Sequence, residues 1–103
     1  MDTQRKKGVL EICVLALLQR EPSYGYRIVR DISPYIEVSE STLYPILRRL
    51  EAGDCVSTFS QEHNGRLRKY YRIEPQGKEK VRQFLSEAEE MRRIYQFVEE
   101  ESK

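Results

Sequence analysis

The sequence predicts a mainly α-helical domain that carries one β-hairpin and ends in a long helix. Three observations predict it. Helix-length apolar patterns are punctuated at Pro22 and Pro34, the pattern switches from helical to alternating after Gly53, and apolar residues from Val81 to Val98 recur at spacings of 3, 4, 3, 4 and 3. A chain of 103 residues is one domain at most, large enough for a modest core. Hydrophobic residues make up 39% and charged residues 34%, which fits a globular chain with a heavily charged surface.

The first helix is expected from about Gly8 to Gln19, with Val9, Ile12, Cys13, Ala16 and Leu17 on one face and Leu10, Leu15 and Leu18 widening it. A helix so broadly apolar must be covered on more than one side, as a core element or part of an interface. Glu21-Pro22 ends it, because the residue before proline disfavours α geometry. Ser23 is then placed to cap a second helix, Tyr24 to Ile32, with Tyr26, Ile28, Val29 and Ile32 available for burial. Ser33-Pro34 breaks that helix.

The third helix begins at Ser39, whose side-chain oxygen can satisfy free backbone N–H groups, with Val38 and Leu43 forming a hydrophobic staple. Leu43, Ile46, Leu47 and Leu50 fall on one stripe. The opposite face carries Ser41, Tyr44, Pro45 and Arg48, flanked by Thr42 and Arg49. Such a face, with hydroxyls, an aromatic edge and guanidinium groups, suits a DNA groove: the first two kinds contact bases and the last contacts phosphate or guanine. For a helix considered alone, a solvated face would be the simpler account.

After Gly53-Asp54, Asn64-Gly65 reads as a two-residue turn between strands Cys55 to Glu62 and Arg66 to Glu74. In that register Val56 faces Ile73 and Thr58 faces Tyr71 on the side toward the helices. Phe59 faces Tyr70 on the other side, beside Arg68 and Arg72. Net charge is only +1, yet Arg66, Arg68, Lys69 and Arg72 stand in seven residues without an acid, giving a local basic patch on a neutral molecule. Helix, helix, turn, helix, hairpin is the order of a winged helix-turn-helix. His63, single and on a polar loop, is expected to be an ordinary surface residue.

The last helix is expected from Gly77 to Val98, with the seam Val81, Phe84, Ala88, Met91, Tyr95 and Val98 broadened by Leu85 and Ile94. A small domain has little room to cover such a helix, so the seam calls for a second copy, with packing on the chain's own first helix as the alternative along part of its length. The final EEESK is expected to fray. Residues 1–75 are thus expected to form the winged helix-turn-helix and 76–103 the dimerisation helix.

Cys13 and Cys55 lie far apart without partners, pointing to structural thiols in a cytoplasmic protein, with no disulfide and no metal site expected. Arg5 to Lys7 followed by an apolar run superficially resembles a signal peptide, but Glu11 interrupts the run, no small-residue cleavage site follows, and no stretch is long enough to span a membrane. With one histidine, no metal-ligand cluster, no phosphate loop and no nucleophile set beside a base, no catalytic residue is expected and no cofactor is called for.

Tyr24-Gly25-Tyr26-Arg27-Ile28, Ser41-Thr42-Leu43-Tyr44-Pro45-Ile46-Leu47-Arg48-Arg49-Leu50-Glu51 and Arg68-Lys69-Tyr70-Tyr71-Arg72-Ile73 resemble, in order and spacing, three hallmark blocks of the PadR family of bacterial transcriptional regulators, in its small subfamily. The resemblance implies a homodimeric winged-helix repressor that binds an inverted repeat of double-stranded DNA and is released by an aromatic or otherwise apolar small molecule. It assigns Thr42 and Tyr44 to DNA contact and Arg68 and Lys69 to the basic wing. Together with the residue reading, the expected DNA contacts are Ser41, Thr42, Tyr44, Arg48, Arg49, Asn64, Arg66, Arg68 and Lys69, with Arg5, Lys6 and Lys7 as further phosphate contacts. A ligand site would lie between the long helix and the first, lined by Leu10, Val14, Phe84, Ala88, Met91 and Tyr95, residues that serve equally well as plain dimer core. Three positions depart from the family pattern: Asp54 and Leu67 replace residues that are usually Gly and often Pro, and Glu74 one that is commonly Thr. The absence of Trp removes one way in which relatives hold flat ligands. The alternative is a winged-helix module that binds a protein instead of DNA.

Overall fold

The computed structural model describes residues 1–103. The chain runs α1 (Thr3–Leu18), β1 (Ser23–Tyr24), α2 (Gly25–Ile32), α3 (Glu40–Ala52), β2 (Val56–His63), β3 (Arg66–Ile73) and α4 (Pro75–Glu101). The three strands form one antiparallel sheet in the order β1-β3-β2. Helix-helix-turn-helix followed by a hairpin and a long helix is a winged helix-turn-helix with a C-terminal extension.

α3 begins as its sequence demands: the Ser39 side chain accepts from the Thr42 backbone N–H at 3.3 Å. Leu43, Ile46, Leu47 and Leu50 are all buried, and the helix runs unbroken through Pro45. They meet Ile28 and Ile32 of α2, Leu10, Val14, Leu15 and Leu18 of α1, and Val56 and Tyr71 of the sheet in one core.

The hairpin follows the expected register, Val56 opposite Ile73, Thr58 opposite Tyr71 and Phe59 opposite Tyr70. Its turn is set by Asn64 and Gly65, both at positive φ (52° and 78°), which the right-handed twist of the flanking strands favours. Asp54 also sits at positive φ, 60°, so the turn after α3 is made by an aspartate in the left-handed region.

Several expectations change. α1 starts five residues early because Asp2 caps it, accepting from the Arg5 N–H at 2.8 Å. Its buried face is Leu10, Val14, Leu15 and Leu18, whereas Val9, Ile12, Cys13 and Leu17 are half-covered and Ala16 is exposed. Where the helix is apolar almost all round, from Val9 to Leu18, periodicity cannot choose the face. Ser23 does not cap α2: Ser23 and Tyr24 pair with Tyr71 and Tyr70 as a third strand, and the Ser23 hydroxyl accepts from Arg27 Nε at 2.9 Å. Tyr26, expected inside, is exposed. α4 starts at Pro75 and continues to Glu101, so the closing acidic residues are helical rather than frayed, with Ser102 donating back to the Val98 carbonyl at 2.7 Å.

The first turns of α4 dock tightly. A Cβ on Gly77 would lie 2.5 Å from the Cys55 carbonyl oxygen, and Val81 is buried in the core. Past Val81 the helix still runs beside α1, where Gln83, Phe84 and Glu87 line a cavity with Gly8 and Ile12, and most of its later residues are exposed; the molecule is 58 Å along its longest axis. No helix is long and apolar enough to cross a membrane.

Candidate nucleic-acid interface

Ser41, Thr42, Tyr44, Pro45 and Arg48 are exposed on the outer face of α3. The hydroxyls of Ser39, Ser41 and Thr42 cluster, with Ser39 Oγ 3.0 Å from Ser41 Oγ and 3.1 Å from Thr42 Oγ1. The residue that caps the helix therefore also orients the two hydroxyls nearest its start. Lys6 and Lys7, from the first turns of α1, line an open cavity of about 560 Å³ together with Ser39 and Thr42. Those two lysines stand beside the start of α3.

Tyr44 is the best located of these side chains. It lies against the first residue of α2, where a Cβ on Gly25 would come within 2.5 Å of its hydroxyl oxygen and 2.9 Å of its ring. Only glycine leaves room for that ring. Tyr44 borders a cavity of about 240 Å³ with Gly25, Tyr26, Glu40, Arg68 and Lys69. Below it, burial pushes the Tyr71 hydroxyl above its ordinary pKa, the charges of Glu51 and Tyr44 act in the same direction, and Arg48 opposes them.

On the wing, aromatic rings carry the cations. The Arg68 guanidinium sits 4.5 Å from the Tyr24 ring centroid, with Arg27 at 5.2 Å from the same ring, and Arg72 lies 4.5 Å over Phe59. Phe59 stacks on Tyr70, which meets Tyr24 edge-on, and His63 tilts against Tyr24 at 5.6 Å. The aromatic side of the hairpin is thus not a bare surface, because Tyr24 and Tyr70 are buried. Cation–π contacts of this kind hold long side chains in place while leaving their charge intact. His63, read from sequence as a plain surface residue, is half-buried in this stack, a placement that follows from the unforeseen strand β1. Lys69 pairs with Glu51 at 3.7 Å and lies over the Tyr71 ring. Asn64 and Arg66 stand exposed at the tip with Leu67.

The expected cations are not all equally free. Arg49 extends away from the exposed face and donates to Glu11 of α1 at 3.0 Å, a carboxylate that Lys80 of α4 also reaches at 3.1 Å.

The seam of α4 divides. Val81 belongs to the chain's own core, Ala88 is half-buried, and Phe84, Met91, Tyr95 and Val98 are exposed together with Leu85, Ile94 and Phe97. Leu10 and Val14, on the inner face of α1, are fully buried. Burial also pushes the Cys13 thiol up, which keeps it protonated.

Residues 14–83 match the family described as the transcriptional regulator PadR-like family, well over half of the chain. The chain belongs to the PadR-like family. A crystal structure from Streptococcus mutans shares 37% identity, with a TM-score of 0.82 over 90% of this chain and 89% of that one. A PadR-like transcriptional regulator from Bacillus cereus superposes with a TM-score of 0.82 at 28% identity, covering 93% and 96%. A PadR family transcription regulator from Clostridium difficile does so at 0.79 and 25% identity, covering 86% and 97%. An uncharacterized protein of Lysinibacillus sphaericus is 31% identical over 93 residues, 85% of each chain. PadR-like proteins are transcription regulators, and the winged-helix fold of this chain is that of a DNA-binding regulator.

Proposed function

We propose that this PadR-like protein is a homodimeric repressor that binds an inverted repeat, with residues 1–75 reading DNA and residues 76–103 joining the two copies. The observation that carries this reading is the pairing of an exposed, hydroxyl-bearing and basic α3 face with a cation-bearing wing beside it. Ser41, Thr42 and Tyr44 meet base edges in the major groove, and Arg48 meets phosphate or guanine. Asn64, Arg66, Arg68 and Lys69 grip the flanking backbone, and Lys6 and Lys7 add contacts beside the start of α3. The seam of α4 takes a second copy, because seven large apolar side chains from Phe84 to Val98 are more than a third exposed. Two reading heads then meet half-sites about one helical turn, roughly 10 base pairs, apart. An apolar or aromatic effector acts at the junction of α1 and α4 in that dimer.

The test is a binding series on operator and unrelated DNA at several salt concentrations. Arg68→Ala weakens binding about equally on all sequences and lowers the salt slope by about 0.9, the loss of one phosphate contact. Thr42→Ala or Tyr44→Ala changes which sequence is preferred. Binding that ignores both salt and Arg68 would instead indicate a module for a protein partner.

A further inference from the structure

Glu11 is the one charged residue in the apolar stretch of α1 from Val9 to Leu18, and its side chain is only 15% exposed. Both of its oxygens are used. Oε2 accepts from Arg49 Nη2 at 3.0 Å and Oε1 from Lys80 Nζ at 3.1 Å. The three residues come from α1, α3 and α4, so one carboxylate ties the last turn of the reading helix to the second turn of the long helix.

Arg49 follows Thr42 by seven residues, which is two helical turns less about 20°, so both lie on the same flank of α3. Lys6 and Lys7 line the cavity on that flank with Thr42. A DNA strand lying there meets two lysines and, within reach of a long side chain, the Arg49 guanidinium. It also competes with Glu11 for that guanidinium. Lys80 alters the competition, because a carboxylate shared between two cations holds each less firmly than one facing a single cation.

We infer that Glu11 is a positioning residue for the DNA interface: it withholds Arg49 from the phosphate backbone to an extent set by how closely Lys80 of α4 is held. This rests on the DNA-binding reading above. Arg49 is neither a fixed DNA contact nor a purely structural ion pair, and any displacement of α4 that removes Lys80 tightens the hold on Arg49 and weakens DNA binding.

The experiment is a salt series of DNA affinities for the full-length protein, with thermal melts run alongside. Glu11→Gln keeps the shape and removes the charge. It is expected to tighten binding roughly two- to five-fold at low salt, the scale of one exposed ion pair, and to steepen the salt slope by about 0.9. Arg49→Gln in that background cancels both gains. Lys80→Gln, an exposed substitution that leaves the core intact, weakens binding when Glu11 is present and does little when it is Gln. A folded Glu11→Gln protein with unchanged slope, or a gain that survives Arg49→Gln, overturns the inference. Should Glu11→Gln fail to fold, Lys80→Gln in the presence and absence of Arg49 decides: equal effects in both overturn it. A wild-type protein without salt-dependent DNA binding overturns the DNA reading itself, whereas normal wild-type binding with an inert Glu11→Gln overturns the positioning role alone.

Discussion

The two ends of α4 are built from the same residue types and behave in opposite ways. Its first turns press into the domain so closely that Gly77 has no room for a side chain beside the Cys55 carbonyl, and Val81 completes the core. Its last five turns carry Phe84, Leu85, Met91, Ile94, Tyr95, Phe97 and Val98 in the open, with Phe97 63% exposed. One heptad seam thus divides in two: its start is satisfied within the chain, and the remainder is left largely exposed. Leaving that much apolar surface in water is unfavourable at roughly 25 cal/mol per Å², so the distal half gains from a partner while the proximal half does not.

Substitutions at the two ends can break this comparison. Met91→Asp with Ile94→Asp is expected to weaken self-association by about 4 kcal/mol or more, roughly a thousand-fold, if each is an anchor of the interface. Sedimentation would read monomer while the thermal melt of the domain itself changes little, and a monomeric wild type would end the idea of a distal interface. Gly77→Ala acts at the other end: its new methyl meets backbone, and overpacking of this kind costs about 1–3 kcal/mol. A chemical denaturation curve showing no loss would mean that the start of α4 is not firmly docked. Val81→Ala is expected to cost about 1–2 kcal/mol through lost burial, again in stability and not in association.

Smaller effects sharpen the picture away from α4. Asp54→Gly relieves the left-handed backbone after α3 and is expected to stabilise by about 0.5–1 kcal/mol, read as a rise in melting temperature. Tyr71 gives a pH effect whose sign follows from its raised folded pKa. The stability it contributes is complete below the ordinary tyrosine value near 10 and is lost as pH rises through the higher folded value. Tyr71→Phe should therefore flatten the stability curve at strongly alkaline pH and leave it unchanged near neutrality.

Much of this was legible in the sequence because local rules and global fold agree. Ser39 both caps α3 and precedes a clean three-four stripe, and Asn64-Gly65 fixes the hairpin register to the residue. What escaped depended on long-range contact. Ser23 has the chemistry of a cap, yet pairing with β3 claims it, and no local pattern announces a two-residue strand. The orientation of α1 was equally hidden, since apolar residues surround it. Within the candidate site, the exposed α3 face and the wing cations could be named from spacing alone. The seat of Tyr44 on Gly25 and the capture of Arg49 by Glu11, 38 residues away in sequence, could not.

Tyr44 and Gly25 together carry a consequence for how such a regulator can acquire a new target. Ser41, Thr42 and Arg48 are exposed on the outer face of α3, so on the proposed reading operator preference can drift through them by single steps. Tyr44 is interlocked with α2, and replacing Gly25 by anything larger dislodges it. A side chain at position 25 is therefore expected to push the exposed end of the Tyr44 ring to a new position, so a change in α2 reaches the outer face of α3 without any substitution there.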